Sequence, residues 1–133
     1  MTKENLILVV DDEEGIRILL ARFLTRKGFT VLSAGTLQEG IHIFRQKSPE
    51  IVFLDMNLPD GNGLKELKSF NVSTNGNRVI MMSAFDNQEV RNEAMKNGAS
   101  EFLSKPFNVS KLNDLVKIKF NSNSINHGKN SSN

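Results

Sequence analysis

The apolar positions of the chain fall into five short runs, each followed by a segment with helical spacing. The first four runs contain β-branched residues, and all five are too short for helices, so we predict a strand for each of them. They cover residues 6–10, 29–34, 51–54, 79–82 and 101–104. The run at 51–54 is apolar throughout, which is typical of a strand that is buried on both faces of a parallel sheet.

Between these strands, apolar residues recur every three or four positions, which predicts amphipathic helices. The first helix is expected to direct five residues inward, namely Ile16, Leu19, Leu20, Phe23 and Leu24. Gly28 ends this helix, and Thr36 with Glu39 has the spacing of a capping box at the start of the second helix.

Three further helices complete the alternation. A short third helix is expected to begin near Gly63, after a turn at Pro59. Asp86 marks the start of the fourth helix, and Asn108 caps the fifth. The fourth helix should be the most weakly packed, because it offers only three apolar residues, Val90, Ala94 and Met95.

Five strands that alternate with five helices predict an α/β fold, a doubly wound parallel sheet with the flavodoxin-like strand order 2-1-3-4-5. We expect this domain to cover residues 1–120. In such sheets, ligands bind at the carboxyl ends of the strands. The polar residues at those ends, which should converge on one crevice, are Asp11, Asp12, Asp55, Ser83 and Lys105.

Three carboxylates in one crevice would repel one another, by about 4 kcal/mol for a pair about 4 Å apart at an effective dielectric near 20. A bound cation, or raised carboxylate pKa values, would offset this repulsion. The chain has no cysteine, and His42 and His127 are predicted to lie on a helix and in the tail. Because only oxygen ligands remain, we predict a hard divalent ion, Mg²⁺ or Mn²⁺.

A carboxylate beside such an ion, together with an ammonium and a hydroxyl group, provides the parts that phosphoryl transfer needs. Asp55 would be the nucleophile, and Lys105 and Ser83 would bind phosphoryl oxygens. Each residue alone has a simpler explanation: the acidic run 11–14 suits a helix amino terminus, Ser83 suits a strand end, and Lys105 suits a surface. Their joint placement at four strand ends favours a common site.

Composition narrows the function classes. The net charge is +2, and Lys and Arg are spread along the chain, which is unlike a nucleic-acid-binding surface. No apolar run approaches the roughly 18 residues of a membrane span, so we expect a cytoplasmic protein without membrane or nucleic-acid contacts. Residues 121–133 are mostly Asn and Ser, which predicts a disordered tail or linker.

Four features occur in a specific order and spacing: the acidic pair Asp11 and Asp12, the segment L-D-M-N-L-P-D-G-N-G around Asp55, the dipeptide Ser83-Ala84, and K-P-F at 105–107. In this arrangement the chain closely resembles the receiver domain of bacterial two-component response regulators, from residue 6 to about residue 120. The resemblance implies a phosphoacceptor domain that catalyses only its own phosphorylation and dephosphorylation.

The resemblance also assigns roles at the crevice. It implies that Asp55 is the phosphoacceptor and that Mg²⁺ is bound by Asp12, Asp55 and the backbone carbonyl of Asn57. Asp11 would help through bound water. The peptide bond before Pro106 is expected to be cis.

Signalling in the family implies a switch in which the Ser83 hydroxyl moves to the phosphoryl group and Phe102 fills the vacated space. The output domain or downstream protein would bind the fourth helix, fifth strand and fifth helix, and a homodimer is left open. Phosphoryl groups would come from a histidine kinase, a histidine phosphotransfer protein or small phosphodonors. Asn57 and Phe85 would tune dephosphorylation, and we expect the bulk of Phe85 to hinder the attacking water.

Two other classes compete with this interpretation. A phosphatase of the haloacid dehalogenase type would need a second Asp two residues after the nucleophile, where this chain has Asn57. A flavodoxin-like flavin-binding protein would need Ser, Thr and Gly in the first loop, where this chain has D-D-E-E. Whether the receiver acts alone or was cut from a longer regulator is left open.

Overall fold

The computed structural model describes residues 3–70 and 76–116, which form alternating strands and helices. The elements in chain order are β1 (Lys3–Val10), α1 (Glu14–Arg26), β2 (Thr30–Ala34), α2 (Leu37–Lys47), β3 (Pro49–Asp55), β4 (Asn57–Leu58), β5 (Gly61–Asn62), a 3₁₀ helix (Leu67–Phe70), β6 (Arg78–Ser83), α3 (Gln88–Lys96), β7 (Glu101–Ser104) and α4 (109–116).

Five strands form one parallel sheet in the order β2-β1-β3-β6-β7. Counted along the chain, this is the predicted order 2-1-3-4-5, and the predicted α/β class is confirmed. The remaining strands, β4 and β5, pair antiparallel in the loop that follows β3.

Helices cover both faces of the sheet because alternate residues of each strand point to opposite sides. On one face, Leu8 and Val10 of β1 belong to the core beneath α2, the 3₁₀ helix and α3. On the other face, Ile7 and Val9 belong to the core beneath α1 and α4. The sheet is therefore buried on both sides, as continuous apolar strands require.

Strand register aligns the carboxyl ends. Val10 lies opposite Leu54 in the β1–β3 pair, so Asp11 follows β1 next to Asp55 at the end of β3. Asp55 in turn pairs with Met82 of β6, one residue before Ser83. Ser83 pairs with Ser104 of β7, which places Lys105 at the same edge of the sheet.

The prediction of a third α-helix from Gly63 is wrong. The described chain forms the β4–β5 hairpin, a turn and the four-residue 3₁₀ helix. Leu67 and Phe70 are both fully buried, and a spacing of three residues brings two side chains onto one face of a 3₁₀ turn. Four α-helices, rather than five, are thus seen among residues 3–70 and 76–116.

Smaller differences concern individual helix positions. The side chain that caps α3 belongs to Asn87, which accepts from the amide of Val90, whereas Asp86 is engaged elsewhere. Leu19 and Met95 were expected to face inward, but they are 39% and 48% exposed. The remaining core residues of α1 and α3 are buried or half-buried.

Some expectations fall outside the described part of the chain. These are the tail at 121–133, the end of the domain near residue 120, and His127. Within residues 3–70 and 76–116, helices are all too short or too polar to cross a bilayer.

Candidate functional site

Three carboxylates meet at the carboxyl edge of the sheet. Oxygens of Asp11, Asp12 and Asp55 all lie within 4.8 Å of one another. Asp11 is fully buried and Asp55 is 5% exposed, whereas Asp12 is exposed. The structure therefore brings together the acidic residues that the sequence pattern predicts.

The ammonium group of Lys105 lies among these acids. Its Nζ is 2.8 Å from Oδ2 of Asp11 and 3.3 Å from Oδ1 of Asp55. The Lys105 backbone amide donates to the carbonyl oxygen of Ser83 at 2.8 Å, which anchors the residue beside β6. Lys105 is thus part of the site and not a free surface lysine.

Glu13 is a residue that the sequence interpretation missed. Its Oε1 lies 3.4 Å from Nζ of Lys105, and the residue lines the cleft with Asp12 and Asp55. Within the acidic run 11–14, only Asp11 and Asp12 were expected to belong to the site. Glu13 differs from its neighbour Glu14 in lining the cleft and in its contact with a lysine 92 residues away.

The pKa values of Asp55 and Lys105 depend on burial and on the charges around them. Burial, followed by the nearby Asp11 carboxylate, raises the pKa of Asp55 to about 6, although Lys105 and the Asn57 backbone oppose the change. Burial alone would lower the pKa of Lys105, but the carboxylates of Asp11 and Asp55 outweigh it and raise that pKa. A cation at this position therefore relieves an unfavourable concentration of negative charge.

The donor set fits a hard divalent cation. Apart from the nearby lysine ammonium, the buried Oδ2 of Asp11 has no hydrogen-bond partner among the described residues. Asp12 and Asp55 line an open cleft of about 530 Å³, which Asn57, Ala84 and Pro106 also line. Oxygen ligands next to an open volume suit an ion that retains water or phosphate oxygens in its coordination shell.

Ser83 lies at the end of β6 and is fully buried. Its Oγ accepts a hydrogen bond from the backbone amide of Phe85 at 2.9 Å. Phe85 is 60% exposed, and Ala84, between Ser83 and Phe85, lines the cleft. The hydroxyl thus belongs to the loop at the cleft, with the Phe85 amide as its partner in this conformation.

Phe102 of β7 is 7% exposed and is covered by α3. The guanidinium carbon of Arg91 lies 4.9 Å from the centroid of its ring. Arg91 also forms a two-pronged ion pair with Asp86, which accepts a hydrogen bond from Ser104. These hydrogen bonds lower the pKa of Asp86 to about 2.

The peptide bond between Lys105 and Pro106 is cis, in agreement with the sequence-based expectation. Pro106 lines the cleft directly after the lysine. Asn57 is exposed on β4, two residues after Asp55. Five predicted site residues thus line the cleft, namely Asp12, Asp55, Asn57, Lys105 and Pro106. Asp11 contacts Lys105, and Ser83 and Phe85 flank the cleft-lining Ala84, whereas Phe102 is not among the lining residues.

The chain is similar in sequence to a known protein family and to several characterised proteins. A family model described as the response regulator receiver domain matches residues 7–117. Sporulation initiation phosphotransferase F of Bacillus subtilis is 34% identical over 111 residues, which make up 84% of this chain and 90% of that protein. Regulatory protein AtoC of Escherichia coli is 33% identical over 117 residues, 88% of this chain but only 25% of AtoC.

A solved structure extends the similarity to three dimensions. The beryllofluoride-activated NtrC4 receiver domain dimer has a TM-score of 0.80 and 30% sequence identity, covering 89% of this chain and 98% of that one.

Proposed function

This chain belongs to the response regulator receiver domain family, and we propose that Asp55 is its phosphoacceptor. The observation that carries the proposal is the position of Asp55 at the end of β3, 3.3 Å from the Lys105 ammonium and in contact with a cleft that can admit a phosphoryl group. The domain accepts a phosphoryl group and passes the change on as a signal, without turning over a substrate.

In the proposed reaction, a carboxylate oxygen of Asp55 attacks the phosphorus of a phosphohistidine. The new bond joins oxygen to phosphorus, and the phosphorus–nitrogen bond breaks with its electron pair left on the imidazole nitrogen. No general base is needed, because the nucleophile is already ionised. Lys105 neutralises charge on a phosphoryl oxygen, since its ammonium already lies beside the attacking group.

Asp11, Asp12, Asp55 and the backbone carbonyl of Asn57 would hold Mg²⁺, or Mn²⁺, with Asp11 acting through bound water. The ion would neutralise charge that develops on the phosphoryl oxygens. Support for this assignment comes from the convergence of the three carboxylates and from the buried Oδ2 of Asp11, which among the described residues is paired with the Lys105 ammonium and accepts no further hydrogen bond.

We further propose that the signal leaves through α3, β7 and α4, which correspond to the predicted fourth helix, fifth strand and fifth helix. Ser83 would exchange the Phe85 amide for a phosphoryl oxygen, and Phe102 would move toward the space that Ser83 vacates. Phe102 lies under Arg91 of α3, so a movement of its ring would be transmitted to that helix. An output domain, a downstream protein or a second copy of the chain would bind this face.

The upstream partner would be a histidine kinase or a histidine phosphotransfer protein. The receiver domain would occupy residues 1–120, with residues 121–133 as a tail or linker. The family match, which ends at residue 117, supports this boundary. Asn57 and Phe85 would set the lifetime of the phosphorylated state, since they lie two residues after the acceptor Asp55 and two residues after Ser83, respectively.

Incubation with a small phosphodonor such as acetyl phosphate, with and without Mg²⁺, tests the acceptor assignment by intact mass. We expect one phosphoryl group per chain, only with Mg²⁺, and none in Asp55→Asn. Asp114→Asn is the matched control, because Asp114 is an exposed acid on α4. Equal labelling of Asp55→Asn would overturn the assignment, and continuous release of inorganic phosphate over many turnovers would favour a phosphatase.

A further inference from the structure

The loop that leaves the acceptor strand is held tightly at its base. The amide of Met56 donates to the carbonyl of Met82 at 2.9 Å, and the amide of Gly63 donates to the carbonyl of Met56 at 2.7 Å. A Cβ atom on Gly63 would lie 2.2 Å from the carbonyl oxygen of Asp55, which only glycine avoids. The two ends of the β4–β5 hairpin are thus packed against the backbone of the acceptor.

The tip of the same hairpin is tied to a different part of the fold. Oδ1 of Asp60 accepts from the amide of Leu37 at 2.8 Å, and Oδ2 accepts from the amide of Gln38 at 2.9 Å. These are the first two residues of α2, more than twenty residues earlier in the chain. A carboxylate at a helix amino terminus also interacts favourably with the helix dipole.

A second contact permits this docking. A Cβ atom on Gly61 would lie 2.7 Å from Cδ2 of Leu37, so the absence of a side chain lets the hairpin approach α2 closely. Leu37 is itself buried in the core beneath α2. The tip is therefore fixed to a helix that is anchored in the core.

Asn57 lies between these two fixed points, in a ladder of only two residue pairs, Asn57 with Asn62 and Leu58 with Gly61. So short a hairpin has little stability of its own, and a metal ligand must be held to within about 0.5 Å. We propose that Asp60 is a positioning residue for the divalent-ion site, because its bonds to α2 hold the hairpin so that the Asn57 carbonyl stays at the cleft. This inference rests on the proposed function of the site.

The start of α2 has a cap that does not involve the hairpin, and this cap provides a matched control. Oγ1 of Thr36 accepts from the amide of Glu39 at 3.1 Å within the same helix turn. Both Thr36→Ala and Asp60→Ala remove hydrogen bonds at this helix end. Only Asp60→Ala also releases the hairpin.

The test is the Mg²⁺ dissociation constant of the full 133-residue chain, measured by isothermal titration calorimetry, with thermal unfolding measured alongside. Asp60→Ala should weaken Mg²⁺ binding about three- to tenfold, at or below the low edge of outer-shell effects. Thr36→Ala should lower the melting temperature and leave the Mg²⁺ affinity within about twofold of the wild type. Asp60→Asn, which keeps one acceptor oxygen, should recover part of the affinity.

Each contrary result has a distinct meaning. Equal Mg²⁺ affinity in the wild type and Asp60→Ala overturns the positioning role and leaves the phosphoacceptor proposal intact. Equal weakening by Thr36→Ala and Asp60→Ala also overturns it, since Asp60 would then act only by stabilising α2. A wild type that binds no Mg²⁺ overturns the proposed function and the positioning role together.

Discussion

The guanidinium group of Arg91 lies over the ring of Phe102, with 4.9 Å between the guanidinium carbon and the ring centroid. Because Arg91 is also paired with Asp86, the contact joins α3 to β7 and to the loop after β6. Arg91→Met should lower the free energy of unfolding by about 0.5–1 kcal/mol, the range for an exposed cation–π contact. It should also speed amide hydrogen exchange in α3.

Arg22→Met on α1 is the control. Arg22 is exposed, and α1 connects β1 and β2, at the opposite end of the sheet from β7 and Phe102. Hydrogen exchange followed by mass spectrometry should show no change in α3 for this variant. Unchanged exchange in Arg91→Met would mean that the Arg91 contact does not hold α3 in place.

Removal of the Lys105 ammonium should separate metal binding from phosphorylation. In Lys105→Met the Mg²⁺ affinity should increase, because Asp11 and Asp55 lose the cation that competes for their oxygens at 2.8 and 3.3 Å. Phosphorylation by a small phosphodonor should nevertheless slow at least about tenfold, since a donor to the phosphoryl oxygen is lost. Calorimetry and the rate of mass increase measure the two effects.

Lys111→Met is the matched control, because Lys111 is an exposed lysine outside the cleft. It should leave the Mg²⁺ affinity and the phosphorylation rate unchanged. A Lys105→Met protein that binds Mg²⁺ less tightly than the wild type would contradict the competition argument.

Asp55→Asn should stabilise the protein in metal-free buffer, in a way that depends on pH. The pKa of Asp55 is raised from 3.8 to about 6, so ionisation in the folded state is unfavourable. The free-energy cost of ionising Asp55 in the folded state is absent below about pH 4 and complete above about pH 6. At pH 8 the free energy of unfolding should rise by about 1–2 kcal/mol, a value reduced for solvent screening, and the gain should vanish near pH 4.

Urea unfolding at several pH values, with a chelator present, measures this gain. Asp114→Asn should show no pH-dependent gain, because Asp114 is exposed on α4 and lies outside the acid cluster. The same gain at pH 4 and pH 8 would show that the cost of ionising the buried Asp55 is not its cause.

Phe85 should control how long the aspartyl phosphate lasts. Phe85 directly follows the cleft-lining Ala84 and its side chain is 60% exposed, so we expect its bulk to restrict the approach of the attacking water. Phe85→Ala and Phe85→Glu should therefore lose the phosphoryl group several-fold faster than the wild type. Phosphate loss after removal of the donor, followed by intact mass, gives the rate.

Val109→Ala provides the comparison, because Val109 is an apolar residue of similar exposure, 57%, on α4. Its decay rate should equal that of the wild type. Equal decay in all four proteins would remove Phe85 from the control of dephosphorylation.

The sheet and its acidic edge could be predicted because their signals are local. Asp11 directly follows β1, whereas β3 ends at Asp55 and β6 at Ser83, and the parallel topology brings those ends together. The sequence could not show that Glu13, unlike Glu14, belongs to the site, since Glu13 contacts Lys105, which lies 92 residues later in the chain.

The differences arise where local sequence admits two outcomes. Asp86 and Asn87 are both good helix caps, and the choice between them depends on Arg91 and Ser104, which bind Asp86 instead. The helix expected from Gly63 likewise competes with a hairpin, which is held by the distant contacts of Asp60 with α2.

The position of Lys105 between Asp11 and Asp55 means that the cleft carries its own resident counterion. When a metal ion and a phosphoryl group bind, the Lys105 ammonium would exchange its carboxylate partners for a phosphoryl oxygen. Lys105 can therefore meet an incoming phosphoryl oxygen with little movement of its side chain, because its ammonium lies 3.3 Å from Oδ1 of the acceptor beforehand.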